Sequence, residues 1–408
     1  MSITLPEISP FLDAPSRPRV SVCSGHGAYK NAAEALSDFD LSLARGKKVL
    51  VKPNIGRIAK PGEAITTHPE TVAAVLDAFL EAGAEVAIGE SPIVGVDTAK
   101  AFESGGIAEI AAGRNCKLID LDARPGIYLP VPGGIAIDSL TLCADVPEFD
   151  ILVSVPVMKM HMHTGVTLSI KNMKGCLWQR SKVKLHMLDP VEGRDEKSLD
   201  IAIADMSTVL RPQLAIIDGT FAMEGMGPSA GKRRELDTTV VSADPFAADS
   251  VACHLMGVDP CKIPHLKLGA EKFGGVIDVG KMNITPEDWK SVARSLERPP
   301  QDISVEFDGV EVHDRNSCSA CQSTLMLFLK RYGKRIFDYF PSDTTFHIAI
   351  GKGHKDLPAG TFCVGNCTAS HRSAGRFIPG CPPVASQILQ ELTGQDEVDT
   401  EDGNRILK

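Results

Sequence analysis

The stretch KKVLVKPNI (residues 47–55) is followed by HPETVAAVLDAFLEAGA (68–84) and AEVAIGESP (84–92), and this order decides the fold class. The first and last segments are short apolar runs, typical of buried strands. The middle segment has Pro69 at its first turn and Gly83 near its end, which indicates a helix capped near Thr67 or His68. Continuous apolar strands joined by helices predict a parallel sheet covered on both faces.

The same alternation continues along the chain, with strands predicted at 150–160, 213–221 and 238–244 and a helix at 245–257. We therefore predict an α/β fold, with a mostly parallel sheet, helices on both faces and a small C-terminal α/β cysteine-rich module. Prolines between 259 and 311 suggest the boundary. The expected organisation is an N-terminal extension (1–45), the α/β domain (46–310), the cluster module (311–395) and a flexible tail (396–408).

The composition is that of an ordinary globular protein, with 408 residues, 43% of them hydrophobic and 23% charged. The net charge of −9 argues against a nucleic-acid or anionic-membrane partner. The N-terminal residues do not resemble a signal peptide, and no apolar run reaches the ~20 residues of a membrane span. These features predict a cytoplasmic protein, and they leave homo-oligomerisation open.

Five of the eleven cysteines fall in one C-terminal window, as Cys318-Ser-Ala-Cys321, Cys363-Val-Gly-Asn-Cys367 and Gly380-Cys381-Pro-Pro. Clustered cysteines in a reducing compartment indicate metal binding or catalysis rather than disulfides. Four thiolates suit a [4Fe–4S] cluster, and a structural zinc ion also fits them. The preferred ligands are Cys318, Cys321, Cys367 and Cys381, with Cys363 as the alternative or as a buried side chain.

Charged side chains follow four predicted strands: Lys52, Glu90, Lys159 and Asp218. The carboxyl ends of parallel strands form one rim, where ligands bind in open α/β sheets. These residues predict either a polar cleft or a structural ion-pair network.

The densest polar segment runs from Lys159 to Asn172. If the strand continues, Lys159, His161 and His163 share one face, where histidine and lysine suit proton transfer or anion binding. Lys171 and Asn172 could hold a carboxylate or phosphate. The predicted catalytic residues are Lys159, His161, Asp218 and Glu90, and the predicted substrate-binding residues are Lys52, Asn54, His163, Lys171 and Asn172.

Several segments resemble the domain-of-unknown-function family 362 (DUF 362) over about residues 46–260. They are residues 51–54, 155–161, 164–175, 217–219, 224–228, 243–245 and 248–249. The resemblance implies an iron–sulfur protein, since many members of that family are similar to such proteins and often carry a ferredoxin domain. This chain departs from that pattern, because it has no C-x2-C-x2-C-x3-C-P run.

Together these features predict a redox enzyme that acts on a small anionic substrate beside a [4Fe–4S] cluster, with an electron donor such as a ferredoxin. Two alternatives stay open. One is a non-redox lyase, hydratase or isomerase that uses the cluster as a Lewis acid, and the other is a maturation factor that binds zinc or a cluster. Flavin and nicotinamide are not predicted, since no G-x-G-x-x-G follows a strand.

Overall fold

The computed structural model describes residues 5, 9–93, 95–186, 188, 191–299, 307–317, 319–332, 336–338, 345–383 and 385–394. Cys318 of the predicted cluster site and the predicted tail at 396–408 lie outside these residues. No helix in the described ranges is long and apolar enough to cross a membrane.

Strands from the first three quarters of the chain build one large sheet, apart from β5 and β6, which pair only with each other. These strands are β1 (Arg19–Ser24), β2 (Lys48–Pro53), β3 (Glu85–Glu90), β4 (Lys117–Asp120), β5 (Ile127–Pro130), β6 (Ser139–Leu142), β7 (Ile151–Val155), β8 (Val157–His161), β9 (Gly165–Thr167), β10 (Leu214–Glu224), β11 (Lys232–Ser242) and β12 (Asn283–Thr285).

The large sheet runs in the order β12-β1-β11-β10-β7-β2-β3-β4, and β8 pairs with both β10 and β9. The pairs around β2, β3, β4 and β7 are parallel, as predicted. Strand β11 is antiparallel to both of its neighbours, β10 and β1. The short connection at 225–231 explains the pairing with β10, since it can join only antiparallel strands. The residues before 46, expected as an extension, thus contribute β1 to this sheet.

The described helices are α1 (Ala28–Leu36), α2 (Pro69–Glu81), α3 (Thr98–Ser104), α4 (Ile107–Ala112), α5 (Ser169–Asn172), α6 (Ser181–Lys184), α7 (Ser198–Val209), α8 (Pro245–Leu255), α9 (Pro264–Phe273), α10 (Ser319–Tyr332) and α11 (Ala385–Thr393). Helix α2 has Pro69 in its first turn, and its N-cap His68 accepts a hydrogen bond from the backbone N–H of Glu70. In α8, Asp244 caps Phe246 and Ala247 in the same way.

Strand β2 shows how the helices cover both faces of the large sheet. Its residues alternate, so that Val49 and Val51 pack in one apolar core with Val72 of α2. Leu50 points the other way and packs in a second core with Val251 of α8. A strand buried on both faces must be apolar along its whole length, which explains the continuous run in the sequence.

A smaller, wholly parallel sheet follows, in the order β13 (Val310–Asp314), β14 (Phe346–Ile350), β15 (Phe362–Val364) and β16 (Phe377–Ile378). Helices α10 and α11 pack against one face of it, around Leu325 and Leu389. The predicted fold class, a mostly parallel sheet with helices on both faces and a small C-terminal α/β module, is therefore confirmed.

Candidate functional site

A buried ion pair joins the carboxyl ends of β2 and β3. The ammonium of Lys52 lies 2.9 Å from a carboxylate oxygen of Glu90, and both side chains are only 2% exposed. The Glu90 oxygens also accept the backbone N–H groups of Ile55 and Ser91, each at 2.9 Å. A buried pair is stable only when such further hydrogen bonds satisfy its polar atoms. This pair is therefore a fixed element of the rim.

Gly175 is required where the backbone crosses the Lys52–Glu90 pair. A Cβ atom at this position would lie 2.2 Å from Glu90 Oε1 and 2.4 Å from Lys52 Nζ. The carbonyl of Gly175 also accepts the N–H of Ser91 at 3.2 Å. The glycine that ends the motif at 171–175 thus lets the chain lie directly on the ion pair.

Two asparagines extend the pair into a chain of hydrogen bonds. Asn172 Oδ1 accepts from Lys52 Nζ at 3.2 Å and from Asn54 Nδ2 at 3.1 Å. Asn172 Nδ2 donates to the Lys52 carbonyl and to Ser154. Asn54 Oδ1 in turn accepts from Lys159 Nζ at 2.7 Å. Five of the predicted site residues are therefore linked side chain to side chain.

Lys159 ends this chain of hydrogen bonds, and no carboxylate among the described residues lies in hydrogen-bond contact with it. Its ammonium donates to Asn54 and to the carbonyl of Ile65, at 2.7 and 2.8 Å. Burial, with the positive charges of Arg57 and Lys52, lowers the pKa of Lys159 to about 7, although Glu90 opposes the shift. A lysine with such a pKa can hold or release a proton near neutral pH.

Lys159 borders a larger group that we call the basic cluster: Lys159, His161, His163, Lys171, Lys174 and His186. The rings of His161 and His163 are 5.3 Å apart, and those of His163 and His186 are 5.5 Å apart. Lys174 Nζ lies 3.0 Å from His186 Nε2, and Lys171 Nζ donates to Thr167 at 3.0 Å. The first four members are buried, whereas Lys174 and His186 are partly exposed and form its solvent edge.

Burial and mutual repulsion disfavour positive charge throughout the basic cluster. Burial, followed by the charge of Lys171, holds the pKa values of His161 and His163 well below their usual range. Burial and Lys174 do the same to the pKa of Lys171, and burial lowers the pKa of Lys174 to about 7. Asp200 opposes both lysine shifts, but its carboxylate lies 3.1 Å from His265 Nδ1. Such a site would gain charge when an anion enters.

The C-terminal module contacts this cluster directly. His163 Nε2 lies 3.1 Å from the hydroxyl of Thr324 on α10, and both residues are buried. Beside this contact, Met162 and Met226 of the large domain pack against Met326 of the same helix. Thr324 follows Cys321 by three residues, so a predicted metal ligand lies one helical turn from the residue that contacts the basic cluster.

The carboxylate of Asp218 accepts hydrogen bonds from backbone groups. Its two carboxylate oxygens accept the N–H groups of His68, at 2.7 Å, and Thr220, at 3.0 Å. The carboxylate therefore anchors the start of α2 on β10. Glu90 accepts a hydrogen bond from the Lys52 ammonium, whereas Asp218 accepts from backbone N–H groups.

Asp249, Lys174 and His186 were not among the predicted site residues. Asp249 accepts from the N–H and hydroxyl of Ser169 and from the N–H of Ile170, and so holds the start of α5. Burial raises its pKa to about 7 against these hydrogen bonds. The sequence feature that could have identified Asp249 is the Ala248-Asp249 segment of the family resemblance. Lys174 lies within the 164–175 segment, whereas His186 follows the basic stretch at 180–184.

Three of the predicted cysteine ligands lie on segments that converge. Cys321 is buried, and its Sγ lies 3.3 Å from the position of a Cβ on Gly365. The N–H of Asn366, which precedes Cys367, donates to the Gly380 carbonyl at 2.8 Å. The N–H of Gly380, which precedes Cys381, donates to Asn366 Oδ1 at 2.8 Å. The chain segments of Cys321, Cys367 and Cys381 therefore meet around Gly365.

Cys363 faces away from this meeting point. Its neighbours Phe362 and Val364 pack in the same core as Cys321, and the alternation of β15 puts Cys363 on the opposite face. Its thiol donates to the carbonyl of His371 at 3.3 Å. Burial raises the pKa of this thiol, which disfavours the thiolate.

Comparison with known proteins identifies relatives of the large domain. A thylakoid-associated protein of Synechocystis sp. is 31% identical over 237 residues, which are 58% of this chain and 71% of the relative. The profile of the family described as "Domain of unknown function (DUF362)" matches residues 49–254, half of the chain.

Two solved structures are similar at low sequence identity. The lactate racemase apoprotein from Thermoanaerobacterium thermosaccharolyticum has 14% identity and a TM-score of 0.38, over 60% of this chain and 61% of that one. A protein from Thermotoga maritima has 13% identity and a TM-score of 0.34, over 57% and 60% of the two chains. This chain thus spans about three fifths of each structure. From the profile match and the Synechocystis relative, the chain belongs to the DUF362 family.

Proposed function

We propose that this chain is an iron–sulfur oxidoreductase whose basic cluster binds a small anionic substrate beside a [4Fe–4S] cluster. The observation that carries the proposal is the contact between His163 and Thr324, because it places the helix of Cys321 against the basic cluster. Neither part alone would indicate a reaction. Their contact brings an anion site and a thiolate site into one region of the molecule.

The anionic substrate follows from the charge balance of the basic cluster. No carboxylate among the described residues hydrogen-bonds Lys159 or Lys171. Burying such ammonium groups is costly, and here burial lowers the pKa values of both lysines. A carboxylate or phosphate group bound among them would supply the missing negative charge and charge-assisted hydrogen bonds. Lys174 and His186, which are partly exposed, are the members of the cluster that such a ligand would meet first.

The [4Fe–4S] cluster follows from the donor set and its surroundings. Cys321, Cys367 and Cys381 come from segments that meet around Gly365, whose missing side chain leaves space next to Cys321 Sγ. Cys318 is two residues before the described Ala320 and completes the proposed set of four thiolates. A cluster held there would supply one-electron transfer, and a ferredoxin is the class of donor that matches it. Thiolate ligands also favour a reducing, cytoplasmic location.

Within this proposal the protein residues bind the substrate and control its protons. Lys171 and Lys174 would hold the anionic group, with His161 and His163 as further donors once protonated. Lys159 would donate or accept the proton that accompanies electron transfer, since its pKa lies at about 7. Lys52, Glu90, Asn54 and Asn172 hold Lys159 in place through their chain of hydrogen bonds.

The test has two arms on protein purified without oxygen. In the first, iron and sulfide are counted per chain and the visible spectrum is taken with and without dithionite. About four irons, four sulfides and a band that bleaches on reduction are expected. Zinc without iron would overturn the redox function.

In the second arm, the melting temperature is measured with inorganic phosphate and with short mono- and dicarboxylates. At 100 times its Kd, a bound anion should stabilise the folded chain by about 2.7 kcal/mol. Lys171→Met should abolish this stabilisation, whereas Lys100→Met, an exposed lysine on α3, should not. Equal stabilisation of both variants would overturn the anion site.

A further inference from the structure

The outer face of the small sheet carries a second set of metal-ligating side chains, separate from the cysteines. Val310 and Val312 of β13 and Phe346 and Ile348 of β14 pack in the core beneath the sheet. Because side chains alternate along strands, the residues between them point to the other face. These outward residues are Glu311, His313 and His347.

The register of the two parallel strands brings the three side chains together. Glu311 on β13 is paired with His347 on β14, and His313 follows Glu311 by two residues on the same face. One acidic and two imidazole side chains thus occupy neighbouring positions on a hydrogen-bonded sheet. Strands of a packed sheet hold ligands more firmly than a loop does.

The distances match the coordination of a small ion. His313 Nε2 lies 3.1 Å from His347 Nδ1, and His347 Nδ1 lies 3.5 Å from Glu311 Oε2. Glu311 Oε1 lies 3.9 Å from His313 Nε2, and one atom from each residue falls within 4.8 Å of the others. In a tetrahedral site with bonds of about 2.0–2.1 Å, ligand atoms are about 3.3 Å apart.

We propose that Glu311, His313 and His347 bind one divalent first-row transition-metal ion. Imidazole donors favour zinc, copper, nickel or iron over magnesium and calcium, and the carboxylate offsets part of the ion's charge. The exposed fractions are 59% for the Glu311 side chain, 21% for His313 and 23% for His347, so water can reach a fourth coordination position. Three protein ligands with one open position are typical of zinc sites that bind a further molecule.

The hydrogen bond between the two imidazole rings agrees with this geometry. Without an ion, the two ring nitrogens at 3.1 Å must share a proton as donor and acceptor. A metal ion would replace that hydrogen bond with two bonds to the same nitrogen atoms.

The test is a Zn²⁺ titration of the full chain against a chromophoric chelator, with the cysteine site loaded first. We expect the wild type to bind one zinc more than the double variant His313→Ala/His347→Ala. Glu311→Gln changes an exposed side chain and keeps its shape. It should lower the zinc affinity of this site by at least roughly 10–100-fold, which is the loss caused by removing an outer-shell partner.

The control is His26→Ala, which removes another exposed histidine beside a glutamate. His26 Nδ1 lies 3.0 Å from Glu34 Oε2, and this pair contains one histidine rather than two. It should leave the titration unchanged. Co²⁺ then separates the two metal sites, because imidazole–carboxylate coordination gives ligand-field bands without the thiolate charge-transfer band of a cysteine site. Equal zinc binding in the wild type and Glu311→Gln, or a Co²⁺ spectrum with only thiolate character, would overturn the proposal.

Discussion

His163 Nε2 and the hydroxyl of Thr324 lie 3.1 Å apart and join the basic cluster of the large domain to helix α10 of the C-terminal module. Thr324 is 3% exposed, and His163 also donates its backbone N–H to His161 Nδ1 at 3.0 Å. Through His163, the contact therefore links His161 to the helix that carries Cys321. Because both groups are buried, neither can exchange its partner for bulk water without local opening.

Thr324→Val should weaken the docking of the module. Valine keeps the shape of threonine but leaves the His163 ring nitrogen without its partner, which costs about 1–3 kcal/mol. The free energy of unfolding, measured by urea titration, should fall by that amount. Thr208→Val is the control, since its hydroxyl donates only within α7, to the Asp205 carbonyl at 2.7 Å. Equal stability of Thr324→Val and the wild type would contradict the role of this contact.

Gly175→Ala should disrupt the rim from a position that carries no charge. The added Cβ would lie 2.2 Å from Glu90 Oε1 and 2.4 Å from Lys52 Nζ, so the ion pair must separate or the backbone must move. Breaking a buried pair costs about 3–5 kcal/mol. We expect a loss of this size in urea unfolding.

Gly113→Ala is the matched control for Gly175→Ala. Gly113 ends α4 with φ −62°, and the nearest atom to an added Cβ is 3.6 Å away. Alanine there should be neutral or stabilise by about 0.4–1 kcal/mol. Similar effects of the two substitutions would show that the Lys52–Glu90 pair does not depend on a glycine at 175.

Lys159 should make the stability of the chain depend on pH. Its pKa is about 7 when folded, against an ordinary value of 10.5, so the unfolded chain holds one more proton between these values. Stability therefore rises with pH above about 7, by up to about 1.4 kcal/mol per pH unit, and this contribution is flat below pH 7. From pH 7 to 8.5 the wild type should gain about 1.5 kcal/mol relative to Lys159→Met.

The measurement is urea unfolding at pH 6.0, 7.0 and 8.5 in a buffer without phosphate or carboxylate, which would bind the basic cluster. Lys100→Met should follow the wild type at every pH, because its side chain is exposed on α3. Parallel curves for the wild type and Lys159→Met would show that the ammonium of Lys159 is not disfavoured by burial.

The sheet and part of the site could be predicted from the sequence, for identifiable physical reasons. Lys52 and Glu90 lie at the carboxyl ends of the parallel strands β2 and β3, and Lys159 lies on β8, which continues beyond β7. The carboxyl ends of parallel strands necessarily meet at one rim. Asp218 follows the same rule but turns to the backbone of α2. A strand pattern fixes where a residue lies, and only the neighbouring loop decides which donor its side chain meets.

The remaining members of the basic cluster depend on loops without a regular period. His186 follows α6, and its ring reaches Lys174 from twelve residues away along the chain. Lys182 of α6 donates to the hydroxyl of Ser91 and to the Leu177 carbonyl. Residues 180–184 are exposed or partly exposed, so their charge density alone could not indicate which neighbouring side chain reaches the basic cluster.

Cys367→Ala should remove the iron–sulfur cluster, whereas Cys363→Ala should keep it. Cys367 follows Asn366, whose N–H and side-chain oxygen both bond Gly380 next to Cys381. Cys363 instead donates its thiol to the His371 carbonyl on the other face of β15.

The two variants differ by four positions and make the same chemical change, so each is the control for the other. Iron and sulfide per chain, counted after anaerobic purification, should stay at about four in Cys363→Ala and fall well below that in Cys367→Ala. Loss of iron in Cys363→Ala with full retention in Cys367→Ala would reverse the ligand assignment. It would also require β15 to turn its other face toward Cys321.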